Sequence, residues 1–159
     1  GTKQGITIRF KEEDVRAMGR TAHGVRGITL EPGDEVIGME TITPDSTTAI
    51  LTVTEGGYGK RTPVNEYRVQ GRGGKGIISV KTTERNGPAV GFLQVRDEDE
   101  IMLMAAQGKV LRCKVDDIRE IGRNTQGVRL LDMDGDEDRV VAVVRLVERE
   151  EGVPEEGES

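Results

Sequence analysis

An internal repeat constrains this chain more than any other feature. Three segments align without gaps: GITIRFKEEDVRAMGRTAHGV at 5–25, GYGKRTPVNEYRVQGRGGKGI at 57–77 and GKVLRCKVDDIREIGRNTQGV at 108–128. Their starts lie 52 and 51 residues apart. Glycine recurs at Gly5, Gly57 and Gly108, and arginine at Arg9, Arg61 and Arg112. An acid recurs at Asp14, Glu66 and Asp117, a large apolar residue at Val15, Tyr67 and Ile118, and a second arginine at Arg16, Arg68 and Arg119. A G-R-x-x-x-G motif closes each copy, at 19–24, 71–76 and 122–127. A fixed period of this size marks stacked units, none of which can bury its apolar face alone.

The units read as β-structure. Ile6-Thr7-Ile8-Arg9-Phe10 alternates apolar and polar residues, the period of a half-buried strand. DEVIGMETI at 34–42, PAVGFLQV at 88–95 and RVVAVVRLV at 139–147 occupy one phase of the repeat, and TAILTVTEGG at 48–57 matches EIMLMAAQG at 100–108. Four short strands per ~51 residues predict an all-β fold, a β-pinwheel or propeller-like array of four-stranded antiparallel blades, with about three repeats over 1–147. In KEEDVRAMGR at 11–20 the spacing of Val15 and Met18 suits a helical turn. Pro63 in the second copy and the glycine ending all three predict a turn-rich connection instead. Radial blade folds close with about four to eight blades, so three leave two open faces. The expectation is a piece of a larger protein, with two copies completing one ring as the alternative.

Composition removes several classes. No apolar run approaches the ~18–20 residues of a membrane-spanning helix. The N-terminus lacks the pattern of a signal peptide. A single cysteine, Cys113, excludes an internal disulfide framework and a cysteine-rich zinc site, and a single His23 leaves little for imidazole ligation. A reducing cytoplasm is the expected compartment. The formal net charge of −6 argues by itself against a nucleic-acid partner, but its distribution does not. Residues 148–159, EREEGVPEEGES, hold six glutamates and one arginine, and are expected to form a disordered acidic tail that either solubilises the domain or competes for its basic surface. Residues 59–85 carry Lys60, Arg61, Arg68, Arg72, Lys75, Lys81 and Arg85 against Glu66 and Glu84 alone.

That basic segment holds the richest chemistry. Gly71, Gly73, Gly74 and Gly76 would let backbone N–H groups approach a phosphate, with Arg72 and Lys75 adding charge beside them. Lys60, Arg61 and Arg68 extend the patch. Arg20, Arg72 and Arg123 fall at one position of the repeat, so they are expected to project from one rim as a phosphate track. The glycine loop is no P-loop, because Gly76 follows Lys75 where serine or threonine is required. Aromatic residues make up 3% of the chain; Tyr67 lies in the apolar column, and Tyr58 is the better candidate for exposure. So few rings favour contact with duplex phosphates over base stacking. The acid column is expected to make structural bonds to neighbouring backbone, Cys113 to pack as a buried thiol, and His23 to lie at the surface. The acidic run at 132–138 lacks calcium-loop spacing, since Val141 stands six residues after Gly135. These residues point to no catalytic site, metal or cofactor.

Longer motifs carry a resemblance. Gly57-Tyr58-Gly59-Lys60-Arg61-Thr62-Pro63, Gln70-Gly71-Arg72-Gly73-Gly74-Lys75-Gly76, Thr83-Glu84-Arg85-Asn86-Gly87 and Gly122-Arg123-Asn124-Thr125-Gln126-Gly127 resemble the C-terminal domain of bacterial DNA gyrase A, as does VRAMGRTAHGVRGI at 15–28. The resemblance implies roughly the second half of a six-bladed β-pinwheel plus the tail. It implies a non-catalytic module that binds and wraps double-stranded DNA in support of negative supercoiling. The implied partners are the remainder of gyrase A and gyrase B, and the implied location is the bacterial nucleoid. Residues 70–76 match six of seven positions of the family's Q-R-R-G-G-K-G box, with Gly71 where arginine is usual, and read as that box or a sister copy of it. The DNA-contacting residues so implied are Arg20, Lys60, Arg61, Arg68, Arg72, Gly73, Gly74, Lys75 and Arg123. The alternatives are a topoisomerase IV-type domain that captures DNA without strong wrapping, and a protein-interaction propeller.

Overall fold

The computed structural model describes residues 1–44 and 46–146; the acidic tail at 148–159 lies outside them. The first repeat contributes β1 (Ile6–Thr7). The second supplies β2 (Ala49–Thr54), β3 (Tyr58–Pro63), β4 (Ile77–Ile78) and β5 (Ala89–Val95). The third supplies β6 (Glu100–Ala105), β7 (Val110–Lys114), β8 (Val128–Arg129) and β9 (Val140–Leu146). All three sheets are antiparallel: β1-β4, β5-β2-β3-β8 and β7-β6-β9. The turn-rich connection expected at 11–20 contains a three-residue 3-10 turn, Glu12–Asp14, which recurs at Val64–Glu66 and Val115–Asp117. The phase of the repeat thus extends to the connections.

β2 reads Ala-Ile-Leu-Thr-Val-Thr and is buried along its whole length, because both faces are covered. Leu51 and Val53 pack with Val95, Ile101, Leu103, Val115, Ile118 and Val140, which joins the second repeat to the third. Ile50, on the opposite face, packs with Val64, Tyr67 and Phe92, and with Ile37 and Ile42 of the first repeat. Side chains alternate across a strand, so an all-apolar-or-threonine sequence is what a strand sandwiched on both sides requires.

The repeats are stitched by strand exchange, which the alignment did not reveal. β4 follows the second G-R-x-x-x-G yet pairs with β1, with Ile6 opposite Ile78. β8 follows the third motif and pairs with β3, with Tyr58 opposite Arg129. The carbonyl of Gly5 accepts the N–H groups of Ser79 and Val80 at 2.7 and 3.2 Å; that of Gly57 accepts those of Leu130 and Leu131 at 2.8 and 3.1 Å. Glycine is required where the loop crosses the preceding strand. A Cβ on Gly127 would stand 2.8 Å from the Gly59 carbonyl oxygen, and one on Gly76 2.6 Å from that of Thr7, both at positive φ.

Candidate nucleic-acid interface

The nine candidate residues divide into three groups. Lys60 is turned inward. It has no solvent exposure, and its Nζ donates to the Gly122 carbonyl at 2.7 Å, to Thr125 Oγ1 at 3.0 Å and to the Arg123 carbonyl. Burial pulls its pKa down to about 8. This corrects its assignment to the surface patch: the ammonium anchors the next repeat's loop and offers nothing to solvent. The repeat alignment held the signal, since the same column contains Ile8 and Leu111.

Arg61 is also committed. Its Nε donates to the Ile118 carbonyl at 2.6 Å, and its Nη1 pairs with Asp97. Arg9 makes the corresponding reach one repeat earlier, with Nη1 donating to the carbonyls of Val64 and Tyr67, each at 3.1 Å. Arg9 and Arg61 thus each clasp the 3-10 turn of the following repeat, whereas Arg112, in the same column, pairs with Glu100. An arginine suits the task because its planar fork spans several acceptors that one ammonium cannot.

The glycine loop is less open than its composition suggests. The N–H of Gly73 donates to the Gly27 carbonyl at 2.7 Å, so it is not free for a phosphate. The carbonyls of Gly73 and Gly74 accept from Thr29, from Oγ1 at 2.6 Å and from the N–H at 2.9 Å. Gly74 itself is exposed.

The remaining cations sit at the loop surface. Arg72 is half-buried, with Nε donating to the Asp14 carbonyl at 2.9 Å and Nη1 to that of Arg26. Arg123 repeats the second contact one copy later, its Nη1 donating to the Ile78 carbonyl at 2.8 Å. Ile78 and Arg26 are equivalent positions, so the two guanidiniums occupy equivalent stations. Bonds to neutral carbonyls fix them without cancelling their charge. Arg20, Arg68 and Lys75 are exposed; Lys75 makes a loose pair with Glu31 at 3.6 Å.

Arg16 and Arg119, in the column of Arg68, are exposed as well. The repeat showed that column, but only its middle member lay in the basic segment and was singled out. Glu66 behaves as its column predicted, with Oε2 accepting the Arg123 N–H at 3.3 Å. Tyr67 is buried, and its hydroxyl bonds Ser79 Oγ at 2.8 Å.

Tyr58 departs from expectation: it is 5% exposed. Its hydroxyl accepts from Arg85 Nε at 2.9 Å and Arg129 Nη2 at 2.8 Å, and both guanidiniums stack over its ring. The two arginines cover the ring that composition alone left open. They line a cleft of about 930 Å³ together with Glu55, Glu84, Asp132 and Asp136, so its charge is mixed.

A family model described as "DNA gyrase C-terminal domain, beta-propeller" matches residues 1–43, 48–96 and 99–146. The chain belongs to the DNA gyrase C-terminal domain family. It is similar to the DNA gyrase A protein of Haloquadratum walsbyi, with 48% identity over 90% of the chain and 17% of that protein. Against the gyrase A protein of Staphylococcus aureus the identity is 46%, over 99% of the chain and 18% of that protein. The chain therefore spans less than a fifth of the curated relatives' length. Among solved structures, a DNA gyrase A C-terminal domain superposes with a TM-score of 0.80 at 30% identity, over 92% of this chain and 49% of that one. The C-terminal domain of a DNA topoisomerase IV superposes at 0.84 with 28% identity, over 91% and 45%. Among the described residues no helix is long and apolar enough to cross a membrane.

Proposed function

We propose that this chain is a non-catalytic module of a gyrase, binding duplex DNA through its phosphates and working with the remainder of gyrase A and with gyrase B. Membership of the gyrase C-terminal domain family carries the reading. It is supported by the recurrence of surface arginines at equivalent stations of successive repeats, which suits a polymer whose charges also recur. Lys60 and Arg61 are excluded from the contact set, because their side chains hold the following repeat. The proposed contacts are Arg20, Arg68, Arg72, Lys75 and Arg123, with Arg16 and Arg119 added by their column and Gly74 by its exposure.

Salt titration of binding to a duplex tests this. Seven neutralised phosphates give a slope of log K against log salt of about −6.3. The pair Arg68→Ala and Lys75→Ala is expected to flatten it by about 2, since each contact is worth ~0.9. A slope near zero in the unmodified protein overturns the reading.

The likeness to the topoisomerase IV domain favours a second reading, DNA capture without wrapping. Ligation of DNA circles on the protein separates the two. Wrapping shifts the linking number of the products; capture leaves it unchanged.

A further inference from the structure

We propose that Lys60 and Glu66 position Arg123 for the DNA phosphates without touching DNA themselves. The inference rests on the DNA-binding reading above and adds two positioning residues to it.

Both side chains belong to the second repeat, Lys60 on β3 and Glu66 at the end of the 3-10 turn that follows. Together they close on one residue of the third. The Glu66 carboxylate accepts the Arg123 N–H at 3.3 Å, and the Lys60 ammonium donates to the Arg123 carbonyl. The same ammonium reaches the Gly122 carbonyl at 2.7 Å and Thr125 Oγ1 at 3.0 Å. Thr125 Oγ1 in turn donates to the Gly122 carbonyl at 2.9 Å. The two backbone groups of Arg123 are thus held by charges of opposite sign, and bonds with one ionised partner are roughly twice as strong as neutral ones.

The loop of the second repeat is held differently. Arg72 is fixed through its own side chain, by the carbonyls of Asp14 and Arg26. The guanidinium of Arg123 has one such anchor, the Ile78 carbonyl; its Nε and Nη2 find no acceptor among the described residues. Thr29 Oγ1 donates to the Gly73 carbonyl, but Lys81 stands at the equivalent place before the third loop and has no hydroxyl to offer. The N–H bond of that station is kept, from Thr29 to Gly74 at 2.9 Å and from Lys81 to Thr125 at 2.8 Å. Arg123 therefore has fewer restraints of the ordinary kind and gains the charged clamp in their place. The strand does not need a lysine to fold, since Ile8 and Leu111 fill the same column. A fully buried ammonium is costly unless its donors are satisfied, and here all three acceptors lie on the loop that carries Arg123.

Salt titration of the whole chain on a short duplex tests this. Arg123→Ala should make the slope of about −6.3 shallower by about 0.9. Lys60→Met and Glu66→Ala should shift it the same way, up to the same amount. Glu66→Ala should also weaken binding, where loss of a negative charge by itself would strengthen it. Glu66→Gln keeps an oxygen for the Arg123 N–H and should bind as the parent does. In an Arg123→Ala background, neither Lys60→Met nor Glu66→Ala should change the slope further, because coupled residues are not additive. Glu66 is exposed, so its variants stay folded should Lys60→Met unfold the domain. A flat slope in the unmodified protein removes the DNA reading and this inference together. A steep parental slope that Glu66→Ala and a folded Lys60→Met leave unchanged overturns this inference alone. So do shifts that add in full to that of Arg123→Ala.

Discussion

The ammonium of Lys60 and the carbonyl of Gly122 meet at 2.7 Å, across 62 residues of sequence. The contact ties the middle strand of one repeat to the loop of the next, and it accounts for a fully buried lysine among apolar and threonine neighbours. Lys60→Ala leaves a cavity and removes the donor from three oxygen acceptors, so it should cost roughly 2–5 kcal/mol in urea unfolding. Lys60→Leu, which copies the residue of the third repeat, should recover part of that loss.

The same lysine predicts a pH dependence. Its pKa in the folded state lies near 8, below the ordinary 10.5. Between these values the unfolded chain holds more protons, so stability should rise with pH from about 8 to 10.5 and level off above. The difference between wild type and Lys60→Leu across that window isolates the effect. A stability that falls through the window in wild type alone would contradict it.

Arg61 should matter through its backbone acceptors more than through its ion pair. Asp97 has a side chain 76% exposed, so Asp97→Ala should cost less than about 1 kcal/mol. Arg61→Ala removes the donor to the buried Ile118 carbonyl and should cost about 1–3 kcal/mol. Arg61→Lys should not restore it. Chemical denaturation of the three variants checks the order.

Two tyrosines should titrate apart. The hydrogen bond from Arg129, with that from Arg85, draws the Tyr58 hydroxyl below the ordinary value, and burial pushes Tyr67 above it. A phenolate titration read in the ultraviolet should show two steps, one on each side of pH 10. Tyr58→Phe should delete the lower one.

Gly127→Ala combines a positive φ with a Cβ 2.8 Å from the Gly59 carbonyl oxygen, where neither backbone can give way. Gly135→Ala has φ +97 but open space around it. The first should cost several kcal/mol, the second about 1 kcal/mol, since only the second is confined to backbone strain. Thermal melts of the two variants measure the difference.

The period, the all-β character and the family were all legible in the order of the residues. They reside in local patterns: alternation in Ile6–Phe10, β-branched runs such as Ala49–Thr54, and glycines at fixed offsets. The same columns placed Tyr67 in the core and Glu66 on a backbone N–H, because like residues at one position of successive copies report a shared environment. Which cations face water was legible only once the repeats were packed together. Lys60, Arg61 and Lys75 carry the same formal charge, yet the first two meet carbonyls brought in by the following repeat while the third meets solvent. Strand exchange between repeats is equally silent in one copy's residues. A charge in the sequence states only what a side chain carries; neighbours about 60 residues away settle whether that charge is offered outward or spent on holding the fold.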